Sequence, residues 1–490
     1  MQRNTTSSLF IRLLLSSFIL AALLAAPPLL APASAKVFEP ETFILKNGMQ
    51  VVVIRNPRAP VVTHMVWYKV GAADEPPGQS GIAHLLEHLM FKGTKKLKSG
   101  EFSKIVARNG GRENAFTGQD YTGYYQTIAA DRLETMMRHE ADRMTGLVLT
   151  EAAIAPERLV VLQERRSRTD SRPQSILWEQ ARAAMYLNHP YRIPIIGWAH
   201  EIKALTKDQI IAFYRRYYAP NNAILVVAGN ITASRLRPLA EKYYGAIPAG
   251  VTPKRARPME PPQMAARRVI RRDARVRQPS VGRLYLAPGY NSAGRKHAYA
   301  LQILSEILDG GATSRLNRAL VIEQKLAAGT GAGYDAMVVD HATFSVYAAP
   351  RPGVPIEKLE AALDAELAKL LKDGITEEEL RRAKQRLRDA AIFARDSLST
   401  GARILGRALA VGLKVEDVEN WPERIGAVTK AEVEAAARAV LKPNSSVTAI
   451  LLPAKAKKAP AKSGGAKRGK AGGVKNPAKT KNPAKSGGKG

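Results

Sequence analysis

The feature that most restricts the fold of this sequence is an internal repeat with a constant offset of 223 residues. A helix start near Leu205 recurs near Val428, and the turn and the strand that follow it recur with the same offset. The matching segments are 205–207 and 428–430, 220–221 and 443–444, and 224–227 and 447–450. An offset that stays constant through a helix, a turn and a strand indicates a duplicated domain and not a short-period solenoid.

The length and the order of predicted elements fit two such domains. A chain of 490 residues is too long for one core and suits two domains of roughly 200 residues each. Strand patterns rich in β-branched residues alternate with helix patterns, the strands at 42–45, 49–54, 61–70 and 223–228 and the helices at 81–91, 131–147, 156–167 and 207–217. This alternation predicts an α+β fold in each half.

The first 35 residues have the pattern of a secretory leader. Arg3 and Arg12 precede an apolar run at 13–26, and the small residues Ala-Ser-Ala follow at 33–35. This order predicts a signal peptide, 1–35, and therefore export, to the periplasm of a Gram-negative bacterium. A mitochondrial presequence and an uncleaved membrane anchor are the alternatives. The uninterrupted apolar run argues against the first, and its shortness argues against the second.

A linker and a tail delimit the predicted domains. Residues 248–270 are rich in proline and arginine, which predicts a linker between a first domain, 36–247, and a second domain, 271–453. The tail, 454–490, consists mainly of Lys, Ala, Gly, Pro and Asn, so it cannot build a core and is predicted to be disordered. Its two interpretations are a solubilising extension and a segment that touches anionic surfaces.

Charge and cysteine content narrow the chemistry. The net charge is +32, of which the tail carries +12 and the leader +2, so +18 remains on the body. A basic body favours anionic surfaces or acidic substrates, but no nucleic-acid reader motif accompanies the charge, and we expect no specific nucleic-acid partner. The chain has no cysteine. Any metal must therefore be held by histidine and carboxylate side chains.

A metal site is predicted by the motif His84-Leu85-Leu86-Glu87-His88. On a helix, His84 and His88 lie about 40° apart and one turn apart in height, with Glu87 on the same polar stripe. The opposite stripe is apolar and suited to a core. Zinc would satisfy both imidazoles, whereas the alternative is a pair of core histidines bonded to neighbouring groups.

A catalytic zinc also needs a third protein ligand. Glu164 follows His88 by 76 residues, and Glu157 precedes Glu164 by seven. Seven residues on a helix place both carboxylates on one face, about 20° apart. Considered alone, each acid would be a solvated surface residue.

These residues together resemble the pitrilysin (M16) family of inverzincin peptidases. The resemblance rests on the motif, on Glu164 within the segment 157–166, on Asn114-Ala115-Phe116-Thr117 ahead of 121–125, on the segment 86–94 and on the duplication. It covers roughly residues 40–453. It is strongest to the two-domain subgroup that includes the β subunit of the mitochondrial processing peptidase and its bacterial relatives.

The resemblance implies a fold and a role for each residue. Two homologous α/β-sandwich domains of the inverzincin type would enclose a chamber. His84, His88 and Glu164 would bind one Zn²⁺ per chain, and Glu87 would be the catalytic base of a metalloendopeptidase. Glu157 would support the metal ligands. Asn114, Ala115 and Phe116 would form an edge strand to which a peptide or an unfolded protein segment adds; an ordinary hairpin strand is the alternative.

The sequence departs from the family pattern at three positions. Gln163 stands where many relatives have Glu, a minor change because this position points away from the ligand face. In the second domain, Ile322 and Ala328 stand where the family usually has Arg and Tyr. Such a pair would orient the substrate and stabilise the oxyanion, and Tyr334 is the nearest substitute phenol in the sequence.

The departures leave more than one functional prediction. The first is a zinc endopeptidase that forms the metal-bearing member of a heterodimer with a homologous subunit lacking the motif, or else acts as a homodimer or monomer. The second is a non-catalytic assembly or core subunit of the same fold. The complete set of ligands and base favours the first, since degenerate subunits usually lose one of them.

Overall fold

The computed structural model describes residues 36–251 and 254–454. Its first half contains a six-stranded sheet with the order β1-β2-β6-β3-β5-β4. Strand β2 is parallel to β6, and the other neighbours are antiparallel. The strands are β1 (Glu41–Ile44), β2 (Gln50–Arg55), β3 (Val61–Tyr68), β4 (Arg112–Thr117), β5 (Thr122–Ala129) and β6 (Ala223–Gly229).

The second half contains a five-stranded sheet with the order β7-β11-β8-β10-β9. This order repeats that of the last five strands of the first sheet, and β7 is parallel to β11 as β2 is to β6. The strands are β7 (Arg267–Asp273), β8 (Ser280–Pro288), β9 (Ala327–Tyr334), β10 (His341–Pro350) and β11 (Ser446–Pro453). The predicted duplication and the α+β class are therefore confirmed.

Helices cover both sheets. The first half has α1 (Ile82–Leu89), α2 (Glu101–Arg108), α3 (Leu133–Gly146), α4 (Glu151–Arg165), α5 (Pro173–Met185), α6 (Ala199–Ala204), α7 (Lys207–Tyr217) and α8 (Ala233–Tyr243). The second half has α9 (Ala298–Asp309), α10 (Ile356–Asp373), α11 (Glu377–Ala394), α12 (Leu398–Ala410), α13 (Val415–Glu419), α14 (Trp421–Ala427) and α15 (Lys430–Val440).

The repeat detected in the sequence is a helix, a turn and a central strand in each half. Helices α7 and α15 have the same length and the same 223-residue offset, and each leads through a short 3₁₀ turn into β6 or β11. Thr206 caps α7 and Thr429 caps α15, each in a reciprocal capping box with the residue three positions later. The cap threonine and the turn proline are thus retained in both copies because they fix where the helix begins and ends.

Each sheet is also covered by a helix from the other half. Helix α5 packs on β7 and β11, and α12 packs on β3 and β6. Each helix also meets its sheet at a glycine. A Cβ on Gly406 of α12 would lie 2.1 Å from the indole nitrogen of Trp67, and a Cβ on Gly282 of β8, which α5 also contacts, would lie 2.4 Å from the ring of Trp178. The two halves therefore interlock through reciprocal helices.

The segment predicted as a linker is held by specific contacts. Strand β7 begins at Arg267, so it takes in the last four residues of the predicted 248–270 segment. Arg257 bonds Asp74 and Asp120 of the first half and Asp340 of the second. Proline content predicts a linker here, but it carries no information about these charged contacts.

The remaining predicted segments lie outside the described residues. The leader, 1–35, and all of the tail except Ala454 fall there. Within 36–251 and 254–454, none of the helices combines the length and the apolar character needed to cross a membrane.

Candidate metal centre

The motif helix begins at a fixed position. Gly81 precedes α1 with a φ of 87°, and a Cβ there would lie 2.7 Å from the carbonyl oxygen of Ile196. Gly81 has no side chain that could cap the helix. Instead, the buried carboxylate of Glu75 accepts hydrogen bonds from the N–H groups of Gly81 at 3.0 Å and Ala83 at 2.9 Å. The helix start is thus anchored by a loop carboxylate.

The helix presents two faces, as the spacing predicts. Its apolar face is fully buried in the first-half core and comprises Ile82, Leu85, Leu86 and Leu89. Its polar face carries His84, Glu87 and His88, with the two imidazole centroids 4.8 Å apart. His84 and Glu87 are buried, and the His88 side chain is 21% exposed.

Helix α4 places two carboxylates around His88. Glu157 Oε1 lies 2.9 Å from His88 Nδ1, and Glu164 Oε2 lies 3.2 Å from His88 Nε2. Glu164 Oε1 lies 3.9 Å from His84 Nε2. The seven-residue spacing therefore brings both acids to the motif helix, with Glu164 between the two imidazoles and Glu157 behind one of them.

This arrangement fits a zinc ion. One ligand atom from each of His84, His88 and Glu164 lies within 4.8 Å of the others. Ligands at about 2.0–2.1 Å from a tetrahedral zinc are roughly 3.3 Å apart, so small adjustments would complete the site. Glu157 is placed to accept a proton from Nδ1 of His88, and Nε2, which faces Glu164, is then the nitrogen that would bind the metal. His84 Nδ1 is buried without a hydrogen-bond partner among the described residues.

The protonation preferences of the imidazoles differ. Burial, together with nearby His88 and Arg168, lowers the pKa of His84 to about 3, so this imidazole is neutral at physiological pH, as a metal ligand must be. Burial also acts to lower the pKa of His88, but the bond to Glu157 and the carboxylate of Glu164 outweigh it and raise that pKa. A divalent cation bound here would neutralise the negative charge of the carboxylates around His88.

Glu87 is adjacent to the ligands and is held by a strand residue. Its Oε2 accepts a hydrogen bond of 2.5 Å from the hydroxyl of Thr117, at the end of β4. Burial raises the pKa of Glu87, while the Thr117 bond opposes that rise. A carboxylate with a raised pKa beside a metal site is suited to accept and return a proton.

The predicted substrate strand lies at a sheet edge. Asn114, Ala115 and Phe116 fall within β4, whose only paired neighbour in the described sheet is β5. Side chains alternate between the two faces: Ala115 packs with the core of the motif helix, and Phe116 packs with α12 on the opposite face. An edge strand next to the base offers unpaired backbone groups to an extended chain.

Three further residues complete the site and were not predicted as site residues. Thr117 holds Glu87, Lys92 forms a close ion pair with Glu157, and Arg168 lies 2.5 Å from Glu164 Oε1. Thr117 and Lys92 lie within the segments that carry the family resemblance. Arg168 is one turn after Glu164, which is the one spacing signal that could have identified it.

The second half does not supply the absent pair. Ile322 is 54% exposed, and Ala328 is exposed at the start of the edge strand β9. Tyr334 donates its hydroxyl to the carbonyl of Pro288 and packs on Phe344. Its phenol is therefore already used within the second half.

Comparison with known proteins defines the class. Residues 50–198 match the family described as Insulinase (Peptidase family M16), and residues 204–387 match the Peptidase M16 inactive domain. The zinc protease PqqE of Helicobacter pylori is 37% identical over 352 residues, which cover 70% of this chain and 77% of that protein. An uncharacterized zinc protease of Mycobacterium leprae is 30% identical over 400 residues, covering 81% and 88%. The chain belongs to the M16 peptidase family.

Solved structures share the architecture. A protease from Helicobacter pylori superposes with a TM-score of 0.78 at 32% identity, over 85% of this chain and 100% of that one. The periplasmic protease PqqL of Escherichia coli superposes with a TM-score of 0.73 at 20% identity. This chain covers 47% of PqqL but 92% of the structure of its first half, so PqqL is about twice as long.

Proposed function

We propose that this chain is a zinc-dependent endopeptidase that cleaves peptides and unfolded polypeptide segments. The observation that carries the proposal is the convergence of His84, His88 and Glu164 beside Glu87. Three metal-type ligands and a separate buried carboxylate are what hydrolysis by a metallopeptidase requires. The relatives named as zinc proteases support the same conclusion.

Each group has a defined task in this proposal. Zinc would lower the pKa of a water molecule toward about 7 and polarise the peptide carbonyl. Glu87 takes the proton from the attacking water and later gives a proton to the departing amine. Thr117 keeps the Glu87 carboxylate in place, and Glu157 fixes the orientation of His88.

The edge strand suggests how a substrate binds. A peptide that adds to β4 by backbone hydrogen bonds lies next to Thr117 and hence next to Glu87. Backbone pairing makes few sequence demands and requires an extended chain. We therefore propose peptides and unfolded segments, rather than folded proteins, as substrates.

A peptide-library digestion tests this function. The purified protein should cleave unstructured peptides, lose activity on treatment with a zinc chelator and regain it when one equivalent of Zn²⁺ is restored. Cleavage that persists after complete zinc removal would contradict the proposal. So would the absence of cleavage by zinc-loaded protein, alone and with candidate partner subunits.

The second candidate is a non-catalytic assembly subunit. Two observations favour it: Ile322 and Ala328 replace the Arg and Tyr usual in the family, and residues 204–387 match a domain described as inactive. That description applies to the second-half unit, whereas the metal residues lie in 50–198. A zinc-loaded chain that binds a homologous subunit but cleaves nothing, even in the complex, would support this candidate.

We also propose that the chain is exported, to the periplasm in a Gram-negative source. The leader pattern at 1–35 carries this proposal. N-terminal sequencing of the native protein should give Lys36 as the first residue. An intact Met1 would contradict cleavage and favour an anchored form.

A further inference from the structure

The face of the first sheet opposite the motif helix carries a cation from the second half. Arg403 lies on α12, which packs across this face. Its guanidinium carbon is 5.3 Å from the ring centroid of Phe116 and 4.5 Å from that of Tyr125. The second half therefore contributes a cation directly at the edge strand.

This cation has no ionic partner in the part of the chain that the structure describes. Arg407, one turn further along α12, is ion-paired with Asp335 and contacts the ring of Tyr121. Arg403 instead lies over the rings of Phe116 and Tyr125. Arg112, at the start of β4, is exposed and likewise forms no ion pair with a described residue. Two arginines without an ionic partner among the described residues thus lie at β4, Arg112 as its first residue and Arg403 on α12.

Strand alternation places them on one face. Residues 112, 114 and 116 of β4 point to the same side, and Phe116 shows that this is the side of α12. Thr117 points to the other side, where it bonds Glu87. The α12 side of this edge is therefore basic and aromatic, and the opposite side is that of the metal ligands.

A peptide paired with β4 would send every second side chain to the α12 side. Neighbouring strands lie about 4.7–4.9 Å apart, and directly opposed side chains are in contact. An Asp or Glu side chain at such a position would meet the guanidinium of Arg403, held in place by Phe116 and Tyr125. A Lys or Arg side chain would be repelled.

We propose that Arg403, Phe116 and Tyr125 form a specificity subsite that selects acidic side chains at alternate positions of the bound peptide. The inference rests on the proposed peptide-binding function of β4. It assigns a substrate class, acidic peptides, to a chain whose body is itself basic.

The test uses unstructured peptides that differ only by Glu, Gln or Lys at one position, scanned along the sequence. The ratio of kcat/KM for Glu over Gln should be about three- to fivefold at positions two residues apart, and the ratio at the positions between them, which face the metal side, should not depend on Arg403. In Arg403→Gln this ratio should fall to near one. In Arg403→Lys it should be partly retained, because the charge remains. Added salt should reduce it in the wild type.

A matched control and a binding measurement separate this inference from catalysis. Arg272→Gln removes an exposed arginine without an ion pair among the described residues from β7, an edge strand of the second sheet, and should leave the Glu/Gln ratio unchanged. Binding of the same peptides to Glu87→Gln protein gives the ratio without turnover. Equal binding and cleavage of Glu and Gln peptides by wild type would overturn the subsite and leave the peptidase standing. If zinc-loaded wild type bound the Glu peptides more tightly than the Gln peptides but cleaved neither, the subsite would stand and the proposed peptidase function would fail.

Discussion

The two ring nitrogens of His88 have different environments. Nδ1 is bonded to Glu157, which is itself paired with Lys92, while Nε2 faces Glu164. Burial acts to raise the pKa of Glu157, but its bonds to His88 and Lys92 outweigh this and lower it. Glu157 thus stays ionised and keeps the His88 proton on Nδ1, which leaves Nε2 free for a metal.

Thr117 should set the pH range in which Glu87 acts as a base. Its hydrogen bond stabilises the ionised carboxylate and so lowers a pKa that burial has raised. In Thr117→Val the pKa of Glu87 should rise further, and the acidic limb of the kcat/KM profile should move to higher pH, with zinc content unchanged. The measurement is a pH–rate profile, with Thr63→Val, on the opposite face of the same sheet, as control. An unchanged acidic limb would contradict this role.

Sequence spacing could predict the metal residues because all of them lie on two helices. His84, Glu87 and His88 share one stripe of α1, and the seven-residue spacing of Glu157 and Glu164 is a helical relation. Thr117 could not be predicted from helical spacing. Its contact with Glu87 spans 30 residues and depends on how β4 pairs in the sheet.

At the scale of elements, local signals placed some boundaries better than others. The predicted helix at 207–217 matches α7, where Thr206 supplies a cap. The helix predicted to begin at Pro156 begins instead at Glu151, because Thr150 caps it with a hydrogen bond to the N–H of Ala153. Proline marked an early turn of the helix and not its first residue.

The basic cluster at 254–277 shows what composition cannot predict. Five of its eight arginines form ion pairs within the molecule: Arg257 with three aspartates, Arg255 with Asp74, Arg268 with Glu360, and Arg271 and Arg275 with Asp273. Arg257 ties the linker to both halves, and the pairs with Glu360 and Asp273 lie on or beside strand β7. The clustering of these arginines in sequence therefore does not create an equally large basic surface.

Gly406 should be essential for the packing of α12 on the first sheet. A Cβ at this position would clash with the indole of Trp67, and this indole is buried in the packed interface. Gly406→Ala should lower the free energy of unfolding by about 1–3 kcal/mol through overpacking. Gly426→Ala is the control, since it lies in α14 with nothing within 4 Å of its added Cβ. Thermal or denaturant unfolding compares them, and equal stability of the two variants would contradict the packing argument.

At the scale of the whole molecule, Arg257 joins the two halves. It contacts Asp74 at 2.8 Å, Asp120 at 2.5 Å and Asp340 at 3.1 Å, and all but Asp340 are almost fully buried. Removing the guanidinium would leave three carboxylates facing one another. Such losses of one partner from a buried ionic group are strongly destabilising.

We expect Arg257→Met to lower the free energy of unfolding by about 3–5 kcal/mol. Arg58→Met is the control because Arg58 also joins the halves, through an exposed ion pair with Asp396. An exposed pair contributes at most about 1 kcal/mol. Denaturant unfolding of both variants is the measurement. Equal effects would show that Arg257 is not the central interdomain contact.

A partner subunit is the second prediction at this scale. The chain has the metal residues but lacks the usual Arg and Tyr of its second half. We expect a homologous subunit without the motif to supply that pair and to raise turnover. The assay compares the pure chain with mixtures containing candidate subunits. Full turnover by the isolated chain, unchanged by any partner, would favour a monomer or homodimer and leave the zinc assignment intact.

The central claim is that zinc is bound by His84, His88 and Glu164 while Glu87 acts as the base. The most direct measurement determines metal content and peptide turnover side by side in purified wild type, His84→Ala and Glu87→Gln. We expect one zinc and activity in the wild type, neither in His84→Ala, and zinc without activity in Glu87→Gln. Loss of zinc from a folded Glu87→Gln protein, or its full activity, would contradict the account.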